Sequence, residues 1–350
     1  MLGDLEYTPK NIFLTGGAGF IGSHVVEYMV NKYPDYQIIC FDCLDYCAST
    51  KNFDAVKDNP NFVFVKGDIR NEELVTHVFK TYNVDTVMNF AAQSHVDMSF
   101  GNSIEFTKVN VVGTHVLLEC ARVHKIKRFI HVSTDEVYGE VTTKNGVEES
   151  HTLDPTNPYS SSKAAAELII KAYIKSFNMP IIITRGNNVY GNAQYPEKVI
   201  PKFILRLLSG RKCCLHGDGS AKRTYIHVRD VCTGFDTVLH KGQLHEIYNI
   251  GTDEDISMLQ LAEALVRLTN SRKAGSEGEL IECVVDRAFN DCRYFINSQK
   301  LIDLGWKPVV DFEKGLAETI EWYRNLDPAY WPEFSHALEA HPPIVKVQDY

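Results

Sequence analysis

Short apolar runs alternate with longer amphipathic segments through the first 190 residues of the chain. Continuous apolar runs bounded by turn residues predict strands that are buried on both faces. The predicted strands are residues 11–15, 36–41, 62–69, 86–92, 128–132 and 181–185, and the predicted helices are residues 23–32, 72–82, 106–123 and a segment that begins at Pro158. This alternation predicts an α/β fold with a Rossmann-type, doubly wound parallel sheet.

The pattern changes beyond residue 190. The main features there are an amphipathic run at 203–208, a turn-rich basic loop at 216–223, a further strand at 247–251, and a turn followed by a helix within 301–324. We therefore predict a Rossmann domain at residues 1–190, to which residues 225–250 contribute, and a smaller α/β domain at residues 191–325. Residues 326–350 are predicted to form a C-terminal tail.

Three glycines, Gly16, Gly19 and Gly22, separate the first predicted strand from the first predicted helix. Glycine at such a turn permits positive φ and lets a pyrophosphate approach backbone N–H groups and the helix N-terminus. The first two glycines are one residue further apart than in the common dinucleotide fingerprint. Asp42 ends the second strand, where a carboxylate accepts hydrogen bonds from an adenosine ribose and repels a 2′-phosphate. The sequence therefore favours NAD over NADP, with a plain turn residue as the alternative for Asp42.

The fifth predicted strand leads into a hydroxyl and two carboxyl side chains, Thr134, Asp135 and Glu136. Adjacent acids repel each other and are poor strand formers, so local propensity does not explain them. In an open α/β sheet, ligands bind at the carboxyl ends of the strands. We therefore interpret the three residues as catalytic. The alternative is a solvated turn whose acids cap the next element.

Tyr159 and Lys163 lie at the start of the helix that begins at Pro158. Their i, i+4 spacing places both side chains on one face of that helix. An ammonium beside a phenol stabilises the phenolate, so we expect Lys163 to lower the pKa of Tyr159 and make it a base near neutral pH. Tyrosine and lysine at this spacing are common by chance, so the pair alone is weak evidence for a catalytic site. Together with the glycine turn and the strand-end hydroxyl it becomes strong evidence.

Arginines in the second half of the chain are candidates for an anionic ligand. Arg223, Arg287 and Arg293 are suited to a diphosphate, because guanidinium groups pair with phosphates in a bidentate manner. For any one of them, a surface salt bridge is the alternative.

Composition narrows the classes of partner and compartment. The 350 residues are 44% hydrophobic and 23% charged, as in globular proteins, and the net charge of -9 argues against nucleic acid or an anionic membrane as the main partner. The nine cysteines include one CxxC spacing, Cys40 and Cys43, but no second such pair and no array with nearby histidines, so we predict no metal site. No signal peptide and no apolar run of ~20 residues is found, and we expect a cytoplasmic protein.

These motifs resemble the extended short-chain dehydrogenase/reductases, and more narrowly the nucleotide-sugar 4,6-dehydratases that act on dTDP-glucose or UDP-glucose. The resemblance covers residues 10–325 and rests on Gly16-x-x-Gly19-x-x-Gly22, Asp68-Ile69, Thr134-Asp135-Glu136, Tyr159-x-x-x-Lys163 and residues 185–191. Asp135-Glu136 distinguishes the dehydratases from the epimerases and decarboxylases of this superfamily, which lack that acid pair. Residues 100–103, 185–191 and 216–220 are most similar to eukaryotic UDP-glucose 4,6-dehydratases, including the dehydratase part of plant rhamnose synthases, which favours UDP-glucose. Asn290 departs from the bacterial dTDP-glucose enzymes, which usually carry histidine there.

The resemblance implies NAD-dependent conversion of a nucleoside-diphosphate glucose to a 4-keto-6-deoxy product. C4 is oxidised, water is eliminated across C5 and C6, and hydride returns to C6, so NAD stays tightly bound and is regenerated in each turnover. Tyr159 would be the base at O4, supported by Lys163 and Thr134. Glu136 would be the base at C5, and a protonated Asp135 the acid for the departing C6 hydroxyl. Since the chain lacks the reductase domain of the plant enzymes, we expect the product to be released.

The resemblance also implies the binding residues and a homodimer formed through helices on one side of the Rossmann domain. The cofactor set is Gly16, Gly19, Phe20, Ile21, Gly22, Asp42, Asp68, Ile69, Ala91, Ala92, Ser94, Val109, Tyr159, Lys163 and Val189. The substrate set is Ser94, Thr134, Asn188, Glu197, Lys198, Arg223, Asn249, Arg287, Arg293 and Tyr294, with the smaller domain binding the nucleotide sugar.

Two kinds of alternative stay open. A UDP-glucose 4-epimerase or a UDP-glucuronate decarboxylase would use the same NAD, and an epimerase would use the same Tyr159 while leaving the C6 oxygen in place. A dinucleotide-sensing regulatory domain is possible because Rossmann folds are reused, but it would need neither Tyr159 and Lys163 nor the acid pair.

Overall fold

The computed structural model describes residues 7–141, 146–269, 277–285 and 293–340. Arg287, Asn290 and the end of the predicted tail lie outside the described residues. The strands are β1 (Asn11–Thr15), β2 (Gln37–Asp42), β3 (Phe62–Lys66), β4 (Thr86–Asn89), β5 (Arg128–Thr134), β6 (Ile181–Gly186), β7 (Asn188–Tyr190), β8 (Cys213–His216), β9 (Lys222–His227), β10 (Ile247–Ile250), β11 (Asp255–Ser257) and β12 (Ile281–Val284). The helices are α1 (Phe20–Lys32), α2 (Glu72–Thr81), α3 (Val96–Gly101), α4 (Ser103–Phe106), α5 (Thr114–Val123), α6 (Pro158–Phe177), α7 (Val199–Leu208), α8 (Val228–Lys241), α9 (Met258–Leu268), α10 (Gln299–Ile302) and α11 (Phe312–Arg324).

In the described part of the chain, seven strands form one parallel sheet in the order β10-β6-β5-β4-β1-β2-β3. The predicted Rossmann-type sheet is therefore confirmed. The strand order reverses between β1 and β4, and this reversal opens a crevice at the carboxyl ends of the strands. β10, from the second half of the chain, completes the sheet beside β6.

Both faces of this sheet are covered by helices. Ile12 and Leu14 of β1 pack in one core with residues of α1 and α8. Phe13, which points to the opposite face, packs with residues of α2, α5 and α6. Since neither face meets water, the strands are apolar at successive positions, and that is why unbroken apolar runs predict them.

The helix predicted at residues 106–123 is interrupted. A π-helical segment, Thr107–Gly113, separates α4 from α5. Within it the Asn110 side-chain amide donates to the Gln93 carbonyl at 2.9 Å and to Ser162 Oγ at 2.8 Å. The widened turn thus accompanies a buried polar contact with the loop after β4 and with α6, which apolar periodicity does not encode.

The second half of the chain builds a smaller α/β unit. β7, β9 and β11 form a mixed sheet, and β8 pairs with β12. A separate apolar core joins α7, α9 and α11, with Phe203, Leu265 and Leu316 among its buried residues. The smaller α/β unit is confirmed, while the residue numbers of the domain boundaries stay a prediction.

Residues 327–340, which we call the C-terminal strap, cross from the smaller unit back to the Rossmann sheet. On the Rossmann side, Ser49 Oγ donates to the Tyr330 carbonyl at 2.9 Å, and the Tyr330 hydroxyl donates to Asn52 Oδ1. Asn52 in turn donates through Nδ2 to the carbonyl of Ala18, in the glycine turn, at 2.8 Å. The strap is therefore linked to the backbone of the turn that follows β1.

The same strap is held by the smaller unit. Tyr195 donates through its hydroxyl to the Glu333 carbonyl at 2.9 Å, and Arg206 donates to the Leu338 carbonyl at 2.7 Å. Trp331 is 1% exposed within the core of the smaller unit. Across the described ranges, no helix combines the length and apolar character needed to cross a bilayer.

Candidate active site

A cavity of about 970 Å³ lies at the carboxyl ends of the Rossmann strands, where it also meets residues of the smaller unit. It brings together most of the residues that the sequence predicts for the site. These are Gly16, Gly19, Phe20, Ile21, Gly22, Asp42, Asp68, Ile69, Ala91, Ala92, Ser94, Val109, Thr134, Asp135, Glu136, Tyr159, Lys163, Asn188, Val189, Glu197 and Lys198.

The glycine turn has no room for side chains at two positions. Gly16 has φ of +68°, and a Cβ there would lie 2.6 Å from the backbone nitrogen of Ala91. A Cβ on Gly22 would lie 2.2 Å from the carbonyl oxygen of Gly16. α1 begins at Phe20, so its first backbone N–H groups face the cavity without intrahelical acceptors. The turn therefore offers a helix N-terminus that can bind an anion, and the glycines let that anion come close to the backbone.

Asp42 has a structural contact that its predicted cofactor role does not require. Its carboxylate accepts from the backbone N–H of Ala18 at 3.0 Å and of Leu44 at 2.7 Å. Burial raises the pKa of this carboxyl. Asp42 thus fastens the end of β2 to the glycine turn, and it also lines the cavity. Asp68, at the next strand end, is paired with Arg70, whose Nη2 lies 2.6 Å from Oδ2.

The acid pair lies on a short 3₁₀ turn, Asp135–Tyr138, immediately after β5. Thr134 Oγ1 accepts from the backbone N–H of Glu136 at 3.3 Å and so caps this turn. Gly139 ends it at φ of +73°, and a Cβ there would collide with the Asp154 carbonyl at 2.2 Å. The turn redirects the chain as soon as the sheet ends, which leaves both carboxyl groups at the cavity.

Asp135 is 2% exposed and is held from two sides. Its Oδ2 accepts from Asn187 Nδ2 at 2.7 Å, and Thr134 Oγ1 donates to its Oδ1 at 3.3 Å. Burial, followed by the charge of Glu136, raises the pKa of the Asp135 carboxyl to about 7, although the contacts with Asn187 and Thr134 oppose this shift. A large share of Asp135 is therefore protonated at neutral pH, as an acid catalyst requires.

The expected effect of Lys163 on Tyr159 is not found. Burial, followed by the charge of Glu136, raises the pKa of the Tyr159 phenol well above its usual range, against a lowering by the hydrogen bond with Thr134. Lys163 instead donates through Nζ to the Val132 carbonyl at 2.6 Å, and burial lowers its pKa to about 8. The i, i+4 spacing brings both residues to the same cavity but does not decide which acceptor the ammonium binds.

Two asparagines that sequence reasoning missed support the acid pair. Asn187 binds Asp135, and its Oδ1 also accepts from the backbone N–H of Thr252 at 3.2 Å. Asn157 donates through Nδ2 to Glu136 Oε2 at 3.1 Å. The sequence carried a signal for Asn157, which precedes Pro158 at a helix start, and for Asn187, which lies within the 185–191 motif.

Four predicted substrate residues lie apart from the residues that line the cavity. Asn249 is fully buried, accepting from the Tyr138 hydroxyl at 2.8 Å and donating to the carbonyls of Val147 and Asn297, so its predicted substrate contact is replaced by a structural one. Arg293 binds Asp255 at 2.6 Å. Arg223 stacks its guanidinium 4.7 Å from the Tyr294 ring centre, and its charge lowers the pKa of Asp135. The structure thus gathers Arg223, Arg293 and Tyr294 beside one another on and next to β9.

The residues present fit a dinucleotide. The turn at Gly16 and Gly22 leaves space that any side chain would fill, the helix end beside it supplies backbone donors, and Asp42 stands at the end of the neighbouring strand. Tyr159 and Lys163 line the same cavity, together with the strand-end Thr134. Sheet, turn and Tyr-Lys pair together define a protein of the extended short-chain dehydrogenase/reductase class.

Comparison with known proteins narrows this class. The family model described as GDP-mannose 4,6 dehydratase matches residues 13–319. A trifunctional UDP-glucose 4,6-dehydratase, 3,5-epimerase and reductase of Arabidopsis thaliana is 50% identical over 97% of this chain and 50% of its own length. The dTDP-D-glucose 4,6-dehydratase of Homo sapiens is 48% identical over 95% of each chain. The crystal structure of dTDP-glucose 4,6-dehydratase from Bacillus anthracis in complex with NAD superposes with a TM-score of 0.84, at 42% identity over 92% of this chain and 98% of that one.

The chain belongs to the nucleotide-sugar 4,6-dehydratase family, whose members are hydro-lyases. The resemblance inferred from its motifs is thereby confirmed. The chain spans about half the length of the plant relative and nearly the whole length of the human one.

Proposed function

We propose that this protein removes water from a nucleoside-diphosphate glucose, with UDP-glucose favoured over dTDP-glucose, to give the 4-keto-6-deoxy sugar. The observation that carries the proposal is the acid pair at the end of β5. Asp135, with its pKa raised to about 7, stands next to Glu136 in the cavity that also contains Tyr159. Elimination of water needs one carboxyl group that gives a proton and one that takes a proton, and the pair is suited to both roles.

NAD is the cofactor that we propose, and when bound it takes hydride from C4 of the sugar and returns it to C6. We propose that NAD also stays tightly bound, because the cycle consumes no external oxidant and the cofactor has no need to leave between turnovers. Gly16, Gly22 and the first turn of α1 would hold the pyrophosphate, and Asp42 the adenosine ribose. Asp68 is proposed at the adenine, where its Arg70 partner also lines the cavity.

The chemistry at O4 is assigned to Tyr159. Its hydroxyl is hydrogen-bonded to Thr134, and the phenolate would take the O4 proton as C4 becomes a ketone. The phenol has a raised pKa in this structure, so positive charge must be added beside it for the phenolate to form. A bound NAD would supply such charge through its nicotinamide ring, and Lys163, which lines the same cavity, would add to it if its ammonium turned from the Val132 carbonyl to the phenol.

The elimination is assigned to the acid pair. Glu136 removes the C5 proton, which the C4 ketone has made acidic, and the electron pair of that bond forms the C5–C6 double bond. The C6–O bond breaks, and Asp135 protonates the departing hydroxyl so that it leaves as water. Glu136 then returns its proton to C5 as hydride from the reduced cofactor would add to C6. Tyr159 has gained one proton and Asp135 has lost one, and exchange with solvent restores both.

The substrate contacts are proposed in two groups. Ser94, Asn188, Glu197 and Lys198 line the cavity beside the catalytic residues and would bind the sugar and the nucleotide. Arg223 and Arg293, with Tyr294, would bind the diphosphate from the side of the smaller unit, together with Arg287. The relatives named for UDP-glucose and dTDP-D-glucose support a nucleotide sugar as the substrate of this chain.

A homodimer is the proposed assembly. Large apolar side chains are exposed on α4, on the π segment and on α6, namely Ile104 at 66%, Val112 at 48% and Leu168 at 61%. These elements cover one side of the Rossmann sheet, where the resemblance places the dimer contact. Light scattering at micromolar protein concentration measures the assembly directly, and Leu168→Lys is expected to shift it to the monomer.

The activity is tested by incubating the purified protein separately with UDP-glucose and dTDP-glucose and following the products by mass spectrometry. Loss of one water without added NAD supports both the dehydratase activity and the retention of the cofactor. The relative rates with the two sugars show whether uracil or thymine is the preferred nucleobase. UDP-galactose without any change of mass would favour the 4-epimerase instead. NAD binding without turnover of either sugar would favour the regulatory domain.

A further inference from the structure

Asn157 makes two separate contacts with its side-chain amide. Its Oδ1 accepts from the backbone N–H of Ser160 at 2.9 Å, and its backbone N–H donates to Ser160 Oγ at 3.2 Å, which together cap the N-terminus of α6. Its Nδ2 donates to Glu136 Oε2 at 3.1 Å. Because Oδ1 faces a donor and Nδ2 faces an acceptor, the orientation of the amide is fixed by its partners.

The contact with Glu136 is additional to the helix cap. A cap needs only the side-chain oxygen, and serine, threonine or aspartate would supply it equally well. The amide nitrogen of Asn157 adds a donor, in a side chain that is 5% exposed, to a carboxylate at the end of β5. A donor at Oε2 restricts the rotation of the Glu136 carboxylate and so fixes the direction from which it meets the sugar.

The position of Asn157 links two parts of the site. It lies two residues before Tyr159, on the helix that also carries Lys163, and its amide reaches the strand end that carries Asp135 and Glu136. The Glu136 side chain is thereby held in place by the N-terminus of α6, the helix that also carries the phenol of Tyr159. Asn110 strengthens this helix start from the other side, since it binds Ser162, whose hydroxyl donates to the Tyr159 carbonyl at 2.7 Å.

We propose that Asn157 is a positioning residue for the removal of the C5 proton by Glu136, over and above its role as a helix cap. The proposal rests on the dehydratase function proposed above. It assigns to Asn157 an effect on the elimination alone, since Tyr159 and Lys163 do not contact its amide nitrogen in the described hydrogen bonds. Oxidation at C4 should proceed without this contact.

The test separates the two half-reactions in Asn157→Ser, which keeps a capping oxygen and loses the donor. We expect kcat to fall roughly 10- to 100-fold, the scale of a displaced catalytic group, with KM within about 2-fold. Reduced cofactor should accumulate during turnover, seen by its near-ultraviolet absorbance, because oxidation outruns elimination. Exchange of the C5 hydrogen with deuterium from solvent should slow by the same factor as kcat.

Matched variants guard against a purely structural effect. Asn71→Ser makes the same change at the cap of α2, where Asn71 accepts from the Leu74 N–H, and should leave the kinetics unaltered. Asn157→Asp also keeps the cap but places a second carboxylate against Glu136, and should show the same accumulation of reduced cofactor. In the Glu136→Gln background, Asn157→Ser should bring no further loss of rate if the two residues act as one unit.

Several results would overturn the proposal. These are an unchanged rate in Asn157→Ser, an equal slowing of oxidation and elimination, or losses that multiply in the double variant. Failure of the dehydratase function itself is recognised earlier, because the unmodified protein would then release no water from either sugar nucleotide.

Discussion

At the scale of single residues, the protonation of Asp135 decides how activity depends on pH. Its pKa lies near 7, and only the protonated form can give a proton to the departing C6 hydroxyl. We expect kcat to fall about tenfold for each pH unit above the pKa, measured with the retained cofactor across pH 6 to 9. A rate that stays level through this interval would contradict the assignment of Asp135 as the acid.

Asp135 also affects stability, and the direction follows from its pKa. The pKa of Asp135 is about 7 in the folded chain and 3.8 in its ordinary state, so between these pH values the folded chain holds a proton that the unfolded chain has lost. The stability contributed by the neutral carboxyl is therefore lost as the pH rises through about 7. Asp135→Asn removes the buried charge and should raise the free energy of unfolding at pH 8 by roughly 1 to 3 kcal/mol. The gain in the free energy of unfolding should shrink toward pH 5, and denaturant unfolding at both pH values measures it. The same variant should have no dehydratase activity.

The sequence predicts the residue types of this site better than their interactions. Thr134, Asp135, Glu136, Tyr159 and Lys163 could be named because a motif and a strand end mark them. Sequence spacing does not fix the partner of a buried side chain, and Lys163 accordingly binds a carbonyl of β5 rather than controlling the pKa of Tyr159. Asn249 follows the same rule, since polar residues at a strand end can serve the core as well as a ligand.

At the scale of elements, the glycine turn between β1 and α1 tolerates little change. In Gly22→Ala the new Cβ would meet the carbonyl of Gly16 at 2.2 Å, and backbone cannot move away as a flexible side chain can. We expect α1 to shift and the purified protein to lose most of its retained NAD, by roughly 10-fold or more in affinity. The measurement is the NAD content after denaturation, with the far-ultraviolet circular dichroism spectrum as a control for folding.

Elements buried on both faces were predicted well, and their ends were not. All six apolar runs of the first 190 residues overlap strands of the sheet, but β4 stops at Asn89, three residues before the predicted end. From there the chain leaves the sheet and Ala91 and Ala92 line the cavity. An apolar run shows that a segment is buried, whereas hydrogen bonding to a neighbouring strand depends on register, which no local pattern carries.

At the scale of the whole molecule, the C-terminal strap connects the smaller unit with the cofactor turn. Tyr330→Phe removes the hydroxyl that binds Asn52, and Asn52 holds the Ala18 carbonyl of the turn. We expect NAD to dissociate about 3- to 10-fold faster, the effect of losing roughly one hydrogen bond, with kcat under saturating NAD nearly unaltered. Dissociation is measured by dilution into NAD-free buffer.

Ser335→Ala is the control for this prediction, since it lies in the same strap and its exposed hydroxyl contacts only Glu333 among the described bonds. Equal NAD release from Tyr330→Phe and the unmodified protein would show that the strap contact does not influence the turn.

The route of the chain through the strap also bears on how the protein is made. Ser49 and Tyr330 are 281 residues apart and touch in the finished fold, and β10 reaches the sheet only after the excursion through β7, β8 and β9. During translation the first six strands must wait, with one edge of the sheet open beside β6, until residue 250 has left the ribosome. Partners of such long separation make folding slow and leave unpaired edges exposed in the meantime. We therefore expect nascent chains stalled before β10 to be held by chaperones and to bind no NAD, although every residue of the glycine turn has already been synthesised.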